Sequence, residues 1–249
     1  MTKQQKLLSD LIRTGKTPVP WKMTVYGVAG IGKTTYAANT GCILQPTEEG
    51  FQQIDVAHFE KASSFEEVMR NIQLLYQEKG GGYPTYALDS LDWLEQLLHQ
   101  EVCAENNVQS IEAIPYAKGY KFAIQKWQTF LSACDALRQV GMNILFISHE
   151  HIKRFDNPLV ESYDRYELKL HKSASDLVKE YSDALLFANY KTFVKKQDVG
   201  FGSEKVRGLS SGERVLYTQE QPALVAKNRF GMPTEIPFTW DAVKPFLEN

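Results

Sequence analysis

Hydrophobic positions change period repeatedly along this 249-residue chain. Short apolar runs at residues 23–26, 42–45, 83–89, 142–148 and 184–188 are separated by longer segments in which apolar residues recur every three or four positions. The short runs predict buried strands and the spaced segments predict amphipathic helices. After the first run, a helix begins at residues 35–38 and Gly41 closes it. Residues 65–76 carry Val68, Ile72 and Leu75 as a stripe, with Ser64 placed to cap and Glu66 and Glu67 suited to the first turn. Residues 90–102 present Leu91, Leu94, Leu97 and Leu98, and residues 119–140 present Trp127, Phe130, Leu131, Cys134 and Leu137. Residues 173–181 and 240–247 predict two more helices. Residues 3–13, with Leu7, Leu8, Leu11 and Ile12 on one face, predict a short helix within an N-terminal extension over 1–20.

Strand and helix alternate from residue 21 onwards, which predicts an α/β domain with a mostly parallel central sheet flanked by helices. Past residue 188 the pattern changes. Residues 190–199, 205–209 and 214–218 read as short strands joined by glycine and serine turns, with a last β-prone segment at 223–226. One domain over 21–249, β-rich across 190–240, is the expected organisation. Residues 149–172 carry many charges and few structural signals, and read as a polar loop.

Composition narrows this only a little. With 43% hydrophobic and 23% charged residues the chain has enough apolar material for a sizeable core. Its net charge of −2 excludes a global basic field, so a polyanion site would have to be a local patch. Cys42, Cys103 and Cys134 show no paired spacing, which suggests reduced thiols and a cytoplasmic setting. No apolar run approaches ~20 residues, so no membrane partner is expected.

Candidate chemistry lies where the strands end, because ligands of open parallel sheets sit beyond the strands' C-terminal ends. The first strand runs into Gly27, Val28, Ala29, Gly30, Ile31, Gly32, Lys33, Thr34 and Thr35, which satisfies G-x-x-x-x-G-K-[ST]. Glycines let successive amides of such a loop face a phosphate chain. Lys33 would reach the β- and γ-phosphates and Thr34 would hold Mg²⁺. The third strand ends in Asp89, a second Mg²⁺ ligand in this setting. Ser90 follows it where many AAA-type ATPases carry a glutamate that polarises water. Glu48 and Glu49, at the end of the second strand, are the replacement candidates, with Glu48 favoured. His149, at the end of the fourth strand, is placed to sense the γ-phosphate.

In series these residues resemble the RecA-like branch of P-loop ATPases. More narrowly, the chain is similar to bacteriophage-type nucleotide-binding ATPases grouped with RecA-like single-strand annealing proteins. The match is carried by residues 27–35, Thr47-Glu48-Glu49-Gly50, Leu88-Asp89-Ser90-Leu91, Ile147-Ser148-His149 and Val225-Ala226-Lys227-Asn228-Arg229-Phe230-Gly231. The resemblance implies a RecA-like ATPase using ATP and Mg²⁺ in recombination or single-strand annealing. It also implies a homo-oligomer in which Lys227 and Arg229 complete a neighbouring subunit's site, and single-stranded DNA as partner. Two departures stand out: Gln45-Pro46 precedes the Thr-Glu pair, and His149 stands where RecA has glutamine.

Two stretches could meet nucleic acid. In residues 152–172 Lys153, Arg154, Arg165, Lys169 and Lys172 are nearly cancelled by Asp156, Glu161, Asp164 and Glu167. The C-terminal part is more basic, and Lys195, Lys196, Lys205 and Arg207, with Phe193 and Phe201 nearby, are the nucleic-acid candidates. The alternative functions are a non-hydrolysing, nucleotide-gated accessory module of replication or recombination, and a small-molecule P-loop kinase.

Overall fold

The computed structural model describes residues 18–198 and 204–248, with Ile12, Thr14 and Gly15 ahead of them; for residues 117, 193–198 and 204–210 it describes the backbone alone. Apart from Ile12, the helix expected over residues 3–13 lies outside the described residues.

In chain order the elements are β1 (Lys22–Gly27), α1 (Lys33–Ala38), β2 (Cys42–Pro46), β3 (Ala57–His58), α2 (Phe65–Gln77), β4 (Thr85–Asp89) and α3 (Leu91–Glu105). They continue as α4 (Lys118–Gln139), β5 (Asn143–Phe155), β6 (Tyr163–Leu168), α5 (Lys172–Tyr181), β7 (Ala184–Asp198) and β8 (Glu204–Tyr217), then β9 (Lys227–Asn228), β10 (Glu235–Pro237) and α6 (Trp240–Leu247). β1 lies between β5 and β7, parallel to both. Beyond β5 the sheet continues through β4, β2 and β3, all parallel, and beyond β7 through antiparallel β8 and β10.

Strand side chains alternate between two cores, as the two-residue period of a pleated strand requires. Tyr26, Tyr86, Leu88, Ile144, Phe146, Leu185 and Phe187 face α2, α3, α4 and α5. Met23, Val25, Ala87, Leu145, Ile147, Leu186 and Ala188 face Tyr36 of α1, Phe238 and Val243 of α6. A sheet covered on both faces needs runs apolar at every position, which is why its strands are continuous in sequence. Ser64 caps α2 by accepting from the Glu67 amide at 3.2 Å. Among the described residues no helix is long and apolar enough to cross a membrane.

Two regions differ from expectation. The polar loop over 149–172 is instead an antiparallel hairpin, with His151 opposite Glu167, Lys153 opposite Arg165 and Arg154 opposite Asp164. Its charges are paired locally: Arg165 bonds Glu167, two residues along β6, at 2.7 Å and lies 3.8 Å over the Phe155 ring of β5. From His149 to Leu168 the buried residues are Glu167 and Leu168 alone, at the base of the hairpin, so its two-residue period carries little hydrophobic signal. The several short strands of the C-terminal part are two long ones, β7 and β8. The Ser211-Gly212 stretch read as a turn lies at a register shift opposite Tyr190 and Thr192, a β-bulge that bends a strand without ending it.

Candidate nucleotide-binding site

Register brings the chemistry to one edge of the sheet. Gly27 lies opposite His149, Asp89 opposite Ile147, and Pro46 opposite Asp89. The segments leaving β1, β2, β4 and β5 therefore converge.

The loop after β1 is shaped by its glycines. A Cβ at Gly27 would stand 2.1 Å from the Ala188 carbonyl oxygen, so any side chain there collides with β7. Gly32 caps α1 with φ of 104°, in the left-handed region that favours glycine. Ile31 is fully buried and anchors the loop in the core shared with Tyr36 and Ala37. Lys33 is buried, and its Nζ donates to the carbonyls of Gly27 at 2.8 Å and Val28 at 3.1 Å. Burial holds its pKa below the usual lysine value, with Asp89 and Glu48 opposing.

Thr34 Oγ1 donates to Asp89 Oδ2 at 2.6 Å, so the first strand's loop and the end of β4 meet. Burial raises the Asp89 carboxyl, and the Thr34 hydroxyl and Lys33 offset part of that. Thr47 fastens the end of β2 to the same place. Its amide donates to the Asp89 carbonyl at 2.7 Å, and its hydroxyl accepts from the Ser90 amide at 2.8 Å and donates to the Ser90 carbonyl at 2.9 Å.

Glu48 and Glu49 part company. Glu49 is exposed and bonded to Lys61 and Gln52. Glu48 is half-buried, with Oε1 3.9 Å from His149 Nδ1. Burial raises its carboxyl, against the Ser90 hydroxyl and His149, which lower it. His149 is held by Asp92 of α3: Oδ2 lies 3.0 Å from Nδ1, and Oδ1 accepts from the His149 amide at 3.1 Å. The hydrogen bond to Asp92 raises the His149 pKa. Neither Asp92 nor Thr47 was assigned a role from sequence. Asp92 had one signal, a carboxylate in the first helical turn three residues past Asp89.

Gly30, Gly32, Lys33, Thr34, Thr35, Glu48, Asp89 and His149 line one cavity of about 210 Å³, with Glu49 also at its wall. A Cβ built on Gly30 would meet no atom within 4 Å, so the cradle is open on that side. The Thr34 hydroxyl with the Asp89 carboxylate is the hard oxygen pair that Mg²⁺ takes alongside phosphate oxygens and water. The residues present therefore fit a Mg²⁺–nucleotide.

The remaining candidates lie elsewhere. Lys227 and Arg229 are at the start of β7, the end away from the phosphate loop, where Asn228 pairs with Ala184. Lys227 Nζ donates to the carbonyls of Lys179 at 2.9 Å and Glu180 at 3.2 Å, and Arg229 pairs with Asp183 at 3.1 Å. Within one chain they do not join the cavity. Lys195 lies opposite Arg207, Lys196 opposite Val206 and Lys205 opposite Gln197 on the β7–β8 hairpin, and their side chains lie outside what is described.

A mostly parallel sheet covered on both faces, with a glycine loop, lysine, threonine and aspartate meeting at its edge, defines a P-loop nucleotide-binding domain of the ATPase type. A family model described as an AAA domain matches residues 19–230, and the chain belongs to that family. Comparison with curated proteins gives no match.

Proposed function

We propose that this AAA-family chain is a Mg²⁺-dependent ATPase of RecA-like type. It acts as a homo-oligomer on single-stranded DNA, in recombination or annealing of the bacteriophage kind. The observation that carries the nucleotide chemistry is the meeting of Lys33, Thr34, Asp89, Glu48 and His149 around one cavity. Lys33 and the loop amides hold the phosphates, and Thr34 with Asp89 holds Mg²⁺. When bound, the metal neutralises charge on the phosphate oxygens. Glu48 orients the attacking water. His149, fixed by Asp92, meets the terminal phosphate, and the β5–β6 hairpin continues directly from it.

The oligomer and DNA parts rest on the order of motifs along the chain and on two hairpins, β5–β6 and β7–β8. Lys227 and Arg229 sit at the far end of the sheet, so any contact with an ATP site has to be made with another subunit. Ser90 beside Asp89 favours one rival reading, a nucleotide-gated module that binds ATP without turning it over. Phosphate release, followed with and without single-stranded DNA for the wild type and Glu48→Gln, tests both. Turnover stimulated by DNA and lost in Glu48→Gln is expected. Tight ATP binding with no turnover under either condition establishes the rival.

A further inference from the structure

Arg214 stands on β8 at the foot of the β7–β8 hairpin, remote in sequence from the phosphate loop, yet its guanidinium rests on that loop. Nη1 donates to the Ile31 carbonyl at 3.1 Å. A Cβ built on Gly32 would lie 2.9 Å from the same nitrogen, so the cation covers the loop where it turns into α1. Its backbone is held on both sides: Arg214 pairs with Tyr190 of β7, and its carbonyl accepts from the Phe238 amide at 3.0 Å.

We propose that Arg214 is a further phosphate-binding residue of this site, supplied by the same chain, which steadies the loop through Ile31 and lends its charge to the polyphosphate held there. The inference rests on the reading of this loop as an ATP site. Arg214 is exposed, and its guanidinium carries five donors in a planar fork, of which the bond to Ile31 uses one. The cation stands beside Gly32, where the loop turns into α1, and arginine forks bind phosphate oxygens in pairs. Placed here, the arginine also ties the foot of the β7–β8 hairpin to the nucleotide loop, so nucleotide and hairpin share a residue.

Three variants separate a phosphate contact from a mere buttress. Arg214→Gln keeps an N–H donor for Ile31 but no charge, Arg214→Lys keeps the charge, and Arg214→Ala keeps neither. Fluorescent ATP and ADP analogues are titrated into each variant. Hydrogen exchange of residues 28–33 is followed in the nucleotide-free protein. Alanine and glutamine are expected to weaken both nucleotides by about tenfold or more, the value of a charge-assisted hydrogen bond, with lysine recovering most of the loss. In the nucleotide-free protein alanine speeds exchange of the loop and glutamine restores it. Wild-type affinity in Arg214→Gln would leave only the buttress and overturn the proposal. So would wild-type affinity in all three variants while Lys33→Ala loses binding, an outcome that leaves the ATP-site reading intact. A wild type that binds neither nucleotide overturns both.

Discussion

At Asp92 two opposing effects meet. Burial pushes its carboxyl up, and hydrogen bonds from the side chain and amide of His149 outweigh it and hold the group below its ordinary value. The partner responds in the opposite sense, since the same bond raises His149. A histidine raised on folding contributes stability that is fully present below its unfolded pKa near 6.5 and is lost as pH rises through the folded value. Asp92→Asn is therefore expected to lower the His149 pKa, read as a move of its NMR titration midpoint to lower pH, and to flatten that part of the stability profile. The two glutamates are separable in the same way. Glu48→Gln is expected to cut turnover by about 100-fold or more, the usual scale for a residue that positions or activates water. Glu49→Gln, which removes the solvent-side charge paired with Lys61 and Gln52, leaves turnover within about twofold. Gly27→Ala is a packing test: a methyl 2.1 Å from the Ala188 oxygen forces β1 and β7 apart. A loss of roughly 1–3 kcal/mol in chemical denaturation is expected.

Helix α3 makes an element-scale connection. Asp92 bonds the chain entering the β5–β6 hairpin at His149, and Glu95, one turn on, accepts from the His171 amide at 2.9 Å where the chain leaves it. Burial pushes the Glu95 carboxyl up to about 7. A carboxyl raised on folding makes the native state bind the extra proton between about pH 4.5 and 7, so stability falls as pH rises across that window. Glu95→Gln keeps an acceptor for His171 and removes the charge. It is expected to match the wild type at pH 5 and exceed it at pH 8 by at most about 3 kcal/mol, as measured by denaturant melts. The same elements show what sequence could reveal. Residues of α2, α3 and α4 are legible because one face of each is buried and the other wet, and the loop over 27–35 because its motif needs no partner. The β5–β6 hairpin is not legible, since only Glu167 and Leu168 at its base are buried, and the β7–β8 pair is interrupted in sequence by the Ser211-Gly212 bulge. Nor are Asp92 and Arg214 as site residues, because what makes them so is a neighbour far along the chain, His149 for one and Ile31 for the other.

For the whole molecule, the proposed assembly has a sharp consequence. Lys33→Ala subunits keep Lys227 and Arg229 but lack a working loop, and Lys227→Ala/Arg229→Ala subunits have the reverse defect. If those cations act in a neighbour's site, each variant alone is silent and a mixture recovers a fraction of wild-type phosphate release. Mixing also controls for folding, since Lys227 caps carbonyls of α5 and Arg229 pairs with Asp183 in the same chain. An inactive mixture of two folded variants that still associate removes the shared site. β1 has its own implication for synthesis. Both strands that grip it, β5 and β7, are made long after it, and Ala188 is the residue that packs over Gly27. A growing chain that stops short of Ala184 thus carries the whole glycine motif with only one of the two walls that hold it, and ribosome-bound chains of that length are expected to be poor nucleotide binders.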